Sequence, residues 1–154
     1  MNIINNTTYK SYLLEEKLYR KKIDKYEKYK TENMSKTTLY KSKIDDYTQR
    51  LREINFDIEC IEDPISRPLG TGQENRRVEI LIRELESEVK RLESKIHWFQ
   101  SQIIRSMILI DQYQSKIKQD RETLISVTNK INKFTRNALN QNKHYEKVQK
   151  IEFN

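Results

Sequence analysis

Apolar residues recur along this chain at alternating steps of four and three. In the first half the positions are Tyr12, Glu16, Tyr19, Ile23, Tyr26, Lys30, Asn33, Thr37, Tyr40, Ile44, Tyr47, Leu51, Ile54, Ile58 and Ile61, and eleven of these fifteen are aliphatic or aromatic. In the second half the series runs from Val78 through Ile82, Leu85, Val89, Leu92, Ile96, Phe99 and Ile103 to Val148, broken only by Ser106, Asp120 and Gln141. A mean step of 3.5 residues keeps one stripe of an α-helix turned toward a partner helix, the heptad pattern of a coiled coil.

Between the two series lies the stretch Glu62–Gln73, which holds both prolines and both glycines of the chain. Pro64 cannot continue a helix and restricts Asp63 before it. Thr71 and Glu74 stand three apart, as in a capping box that opens a helix. The pattern therefore predicts an all-α fold: one domain, a long antiparallel two-helix coiled-coil hairpin. Helix one is expected at about 8–62, the turn at 63–71, and the longer helix two at about 72–151. At ~1.5 Å per residue the helices would be roughly 80 and 120 Å long. With the turn centred near Pro68, facing residue numbers add to about 136, and residues 130–154 are expected to overhang. Their apolar positions Ile131, Phe134, Tyr145 and Val148 would then need a cover from another chain.

Several apolar residues fall off the seam. Trp98, Ile104, Met107, Ile108 and Leu109 form one block in the sequence, with smaller groups at Leu13–Leu14 and Ile80–Leu81. Such a surplus predicts burial beyond the hairpin, in a dimer or a hetero-complex. The candidate partner interface is thus Trp98, Ile104, Met107, Ile108, Leu109, Ile131, Phe134, Tyr145 and Val148. Tyr12, Tyr19, Tyr26, Tyr40 and Tyr47 recur every seven residues, apart from Asn33, and are read as seam packing with wet edges rather than as a base-stacking platform. Lys30, Asn33 and Thr37 would lie near Ser106 as a hydrated weak layer of the seam, or as a hinge or partner notch.

Composition fits a chain that buries only a stripe. Charged residues make up 34 % and apolar residues 35 %, against ~25 % and ~45–50 % in ordinary globular domains. The net charge of +7 is uneven. Residues 44–93 hold 8 Lys/Arg and 13 Asp/Glu, whereas residues 1–43 and 94–154 each hold 11 and 5. An acidic turn end, with Asp57, Glu59, Glu62 and Asp63 as its candidate tip, would thus oppose a basic open end. The strongest basic cluster is Lys17, Arg20, Lys21, Lys22, Lys25 and Lys28. These residues spread over several helix faces and are interrupted by Asp24 and Glu27, so a solvated, ion-paired face is favoured over nucleic-acid binding.

Catalytic patterns are missing. Neither His97 nor His144 has a second ligand at i+4, and the lone Cys60 excludes a disulfide within the chain or a cysteine-based zinc site. There is no Gly-rich phosphate loop, HExxH or GxSxG. Neither an enzyme nor a cofactor site is expected. The longest apolar run, Met107–Ile110, falls far short of the ~20 residues that span a bilayer. No secretory signal is visible at Met1–Leu14, so a soluble, intracellular chain without membrane insertion is expected, most simply cytoplasmic, with the nucleus as the alternative.

The layout from Tyr12 to Val148, a basic helical hairpin with a longer second helix, resembles the central stalk proteins of flagellar and type III secretion export ATPases, the FliJ-type family. That resemblance implies insertion into an ATPase ring and contact with an export gate. The turn Asp63-Pro64-Ile65-Ser66-Arg67 is similar to the Asp-Pro-x-Asp-Arg tip of hairpin factors that enter the RNA polymerase secondary channel, with Ser66 in place of the second carboxylate. The reading taken from the residues themselves is a non-enzymatic adaptor or scaffold subunit that binds protein partners, or itself, through coiled-coil surfaces.

Overall fold

Asn6 opens the first helix. Its Oδ1 accepts hydrogen bonds from the backbone N–H groups of Thr8 at 2.9 Å and Tyr9 at 3.3 Å. These satisfy donors that a helix start leaves without partners, and Asn is among the best residues for this N-cap role. In the computed structural model, which describes residues 6–63 and 72–152, the helices are α1 at Thr7–Glu62 and α2 at Gly72–Glu152. The second is the longer, 81 residues against 56. The two helices pack against each other as an all-α helical hairpin. The expected turn, including Pro64, Pro68, Gly70 and the Thr71 cap, lies outside the described residues.

The seam is where the heptads place it. All fifteen positions from Tyr12 to Ile61 are buried or half-buried, and so is every seam position of α2 from Val78 to Ala138. The contacts fall into two compact units, Met1–Thr31 with Ile110–Asn154 and Glu32–Leu109. In the first, Ile117, Val127 and Ile131 are buried. Tyr9 stacks on Phe134 at 5.7 Å between ring centroids, and Tyr113 meets both Tyr26 at 6.0 Å and Tyr29 at 5.5 Å. Arg121 donates to Glu27 across the helices at 2.7 Å.

In the second unit Leu92 is fully buried and Ile54 nearly so. Phe99 packs between Tyr40 at 5.6 Å and Tyr47 at 5.8 Å. Among the described residues the buried polar ones are Asn33 and Ser106, both in this unit. No buried side-chain polar atom among the described residues lacks a hydrogen-bond partner. The Thr37 and Thr38 hydroxyls donate back to the carbonyls of Asn33 and Met34 at 3.0 and 3.1 Å, the usual solution for threonine inside a helix.

The register departs from expectation by about one heptad. Lys130 lies over Tyr12, Lys116 over Tyr26 and Lys95 over Tyr47, at 5.2–5.9 Å from the ring centroids. The residue numbers of each pair add to 142 rather than 136. A slip of seven residues restores the same seam pairing, so periodicity does not discriminate between the two alignments. The consequence is that α1 reaches further along α2. Ile131 is only 9 % exposed and Phe134 is covered by Tyr9. The overhang expected from residue 130 therefore starts after Ala138.

Glu88 forms the clearest electrostatic cluster of the second unit. It accepts from Arg91 Nε at 2.8 Å on its own helix and lies 3.8 Å from Arg50 on α1. The Arg91 hydrogen bond holds its carboxyl below the ordinary carboxylate range, with Arg91, Arg50 and Lys95 charges adding to the effect. A lowered folded-state pKa stabilises the fold above the unfolded-state value and ceases to do so as the pH falls through the folded one. Thermal melts followed by circular dichroism should therefore fall less steeply on acidification for Glu88→Gln than for the parent chain. Leu92→Ala should cost about 2–5 kcal/mol by chemical denaturation, the range for removing a buried leucine side chain. Thr37→Leu combined with Ser106→Leu should raise the midpoint, because a polar seam layer would become apolar.

Candidate protein-docking site

Helical phase sorts the surplus apolar residues. With the seam at heptad positions a and d, Met107 falls at e, Ile104 at b and Ile108 at f of α2, while Trp98 falls at c and Leu109 at g. In an antiparallel pair, e flanks e and g flanks g. The sequence block therefore divides between two sides of the hairpin rather than forming one face. All five side chains are substantially open: Ile104 is 59 % exposed, Met107 54 %, Trp98 53 %, Ile108 52 % and Leu109 37 %.

Each side gains residues from α1 that a helix-by-helix reading passes over. Met34, 51 % exposed, falls at e and stands level with Met107 at the observed register. Leu39, 55 % exposed, falls at c, on the side of Trp98. Trp98 itself packs edge-on against Phe99 at 4.9 Å and Tyr40 at 6.3 Å, so one edge of the indole is anchored and the other is open. Residues 94–110 carry only Lys95 and Arg105 as charged groups. Depletion of charge beside Trp and Met is the compositional mark of an interface centre.

The second apolar surface is the end of α2. Ile131 and Phe134 do not belong to it, as shown above. Tyr145, 64 % exposed, and Val148, 40 % exposed, remain open, and Leu139 and Ile151 join them at 51 % and 77 %. Gln149 donates to the Tyr145 hydroxyl at 3.0 Å. Asn140, Gln141, His144, Tyr145 and Val148 line an open concave strip on this single helix.

The charged candidates are placed as follows. Lys17, Lys21, Lys25 and Lys28 fall at b, f, c and f on the outward side of α1, while Arg20 and Lys22 fall at e and g beside the seam, so the cluster spreads over several faces. The four on the outward side are exposed. Arg20 is paired with Glu16 at 3.1 Å, Lys22 lies over Tyr19 at 5.1 Å and Lys25 over Tyr29 at 5.7 Å. At the other end of α1, Asp57, Glu59 and Glu62 are exposed and Asp63 is half-buried. No basic residue occupies the last turn of α1, where the helix dipole already places partial negative charge. The carboxylates and the dipole thus place negative charge together at that terminus.

No protein-family model, curated protein or solved structure matches this chain. Among the described residues no group of three or more His, Cys, Asp or Glu is placed to hold a metal ion, and no helix is long and apolar enough to cross a membrane. What the described residues present is surface: two apolar flanks, an uncovered helix end, and ridges of opposite charge. Covering such apolar surface is favourable by ~25 cal/mol per Å² of area removed from water. Trp98→Ala should leave the melting midpoint of the isolated chain within a few degrees, because half of the indole is already exposed. If a partner seats on that flank, the same change should weaken its capture at least tenfold, as truncation of an interface Trp commonly does.

Proposed function

We propose that the chain is a non-enzymatic coiled-coil adaptor or scaffold subunit of a larger protein assembly. The observation that carries this reading is the seam of α2, which continues at heptad spacing through Gln141, Tyr145 and Val148 after the cover from α1 has ended, leaving all three exposed. A helix that keeps its apolar stripe past its intramolecular partner is suited to receive a helix from another chain. Tyr145→Glu with Val148→Glu should leave the thermal midpoint of the hairpin unchanged and abolish cross-links from this segment to partners in native cells, read by cross-linking mass spectrometry. Persistence of the same cross-links in the double variant would refute the proposal.

A second reading follows from the longer second helix, 81 residues against 56. It is the layout on which the resemblance to export-ATPase stalks rests, and it proposes a ring ATPase and an export gate as partners. Binding of the purified chain to such a ring, lost on deletion of residues 139–154, is its test. A third reading, salt-sensitive and non-specific nucleic-acid binding, is supported by the exposed ridge Lys17, Lys21, Lys25 and Lys28. It requires a gel shift at low salt that disappears at physiological salt.

A further inference from the structure

We infer that the apolar flank formed by Met34, Ile104, Met107 and Ile108 is covered by the same flank of a second copy of this chain, packed antiparallel across a two-fold axis. The inference rests on reading the chain as a coiled-coil interaction subunit, and it names the partner for one of the surfaces.

Three observations carry it. The first is the patch itself: Met34, Ile104 and Met107 on one flank with Ile108 at its outer edge, each more than half exposed, the three α2 residues lying in the stretch 94–110 whose charged groups are Lys95 and Arg105 alone. The second is its place in α1. Met34 stands at the middle of Thr7–Glu62, so a two-fold axis at this level lays equal lengths of α1 beside each other in the two copies.

The third is charge. Within α1, residues 7–43 hold 11 Lys/Arg and 5 Asp/Glu, whereas residues 44–62 hold 2 and 6. An antiparallel copy therefore sets the basic part of each α1 beside the acidic part of the other. A parallel copy would set like beside like, which is repulsive along the whole length. Four side chains per copy bury less than the ~1,000 Å² that a specific interface needs. The flanking segments must therefore contribute, and only the antiparallel arrangement makes that contribution attractive. Isologous two-fold contact is also the commonest way in which soluble chains self-associate.

The test uses the full chain. Sedimentation equilibrium at low salt should give twice the chain mass of 18.7 kDa, and added salt should weaken the association by screening the flanking charges. Ile104→Glu with Ile108→Glu should return the mass to that of one chain, with helical circular dichroism retained. If that variant loses helicity, orientation in the otherwise unaltered chain decides the matter.

Cys60, the sole cysteine and exposed, lies 26 residues beyond Met34. The two Cys60 thiols of an antiparallel dimer would thus be about 80 Å apart at ~1.5 Å per residue. They should form no disulfide with each other, whereas Cys60→Ser combined with Met34→Cys should cross-link readily near the axis. A single-chain mass at every concentration, a Cys60–Cys60 disulfide within the dimer, or a dimer indifferent to the two glutamates would each overturn the inference. A parent chain that never dimerises but keeps its α2-end cross-links to partners would overturn it alone and leave the scaffold reading standing.

Discussion

A two-helix coiled coil has one seam and no interior, and every other property of this protein follows from that geometry. A side chain at an a or d position is covered by one neighbouring helix and by the residues above and below it, and by nothing else. Among the described apolar residues Ile54, Leu92, Ile117, Val127 and Ile131 are buried, and of these only Leu92 completely. Apart from Asn33 and Ser106, the rest of the seam that α1 covers is half-buried, and it is built from residues suited to that condition. Tyrosine buries a ring while its hydroxyl reaches water. The ammonium groups of Lys95, Lys116 and Lys130 of α2 lie over the rings of Tyr47, Tyr26 and Tyr12, so cation–π attraction ties the half-exposed rings across the seam. The tyrosine ladder is thus engaged within the hairpin and is not an open platform.

The same geometry explains why apolar surface is left on flanks and ends. Two helices have no third wall, and apolar residues beyond the stripe remain on the surface unless another chain covers them. Met34, Leu39, Trp98, Ile104, Met107 and Ile108 are in that condition near Asn33 and Ser106, where the seam itself is polar. Polar seam positions lower stability and fix register, so the level at which the hairpin is least apolar inside is also the level at which it is most apolar outside. A partner that packs there would supply the burial the seam lacks. The separation of charge along α1 then gives such a partner a preferred direction.

The heptad spacing of Tyr12–Ile61 and Val78–Ala138 determined the helices, their seam and the all-α hairpin, because a 3.5-residue period admits one buried stripe and no other. The charge runs 1–43, 44–93 and 94–154 were equally legible, since they require only counting. The sequence by itself did not determine the alignment of the two helices. A period of seven is unchanged by a slip of seven, so the pairing of Tyr9 with Phe134, and with it the end of the cover near Ala138, was decided by which rings and lysine stems meet in three dimensions. Nor did it show that Met34 of α1 stands level with Met107 of α2 on one flank. That relation belongs to the pair of helices and to their register, and a one-helix pattern does not contain it.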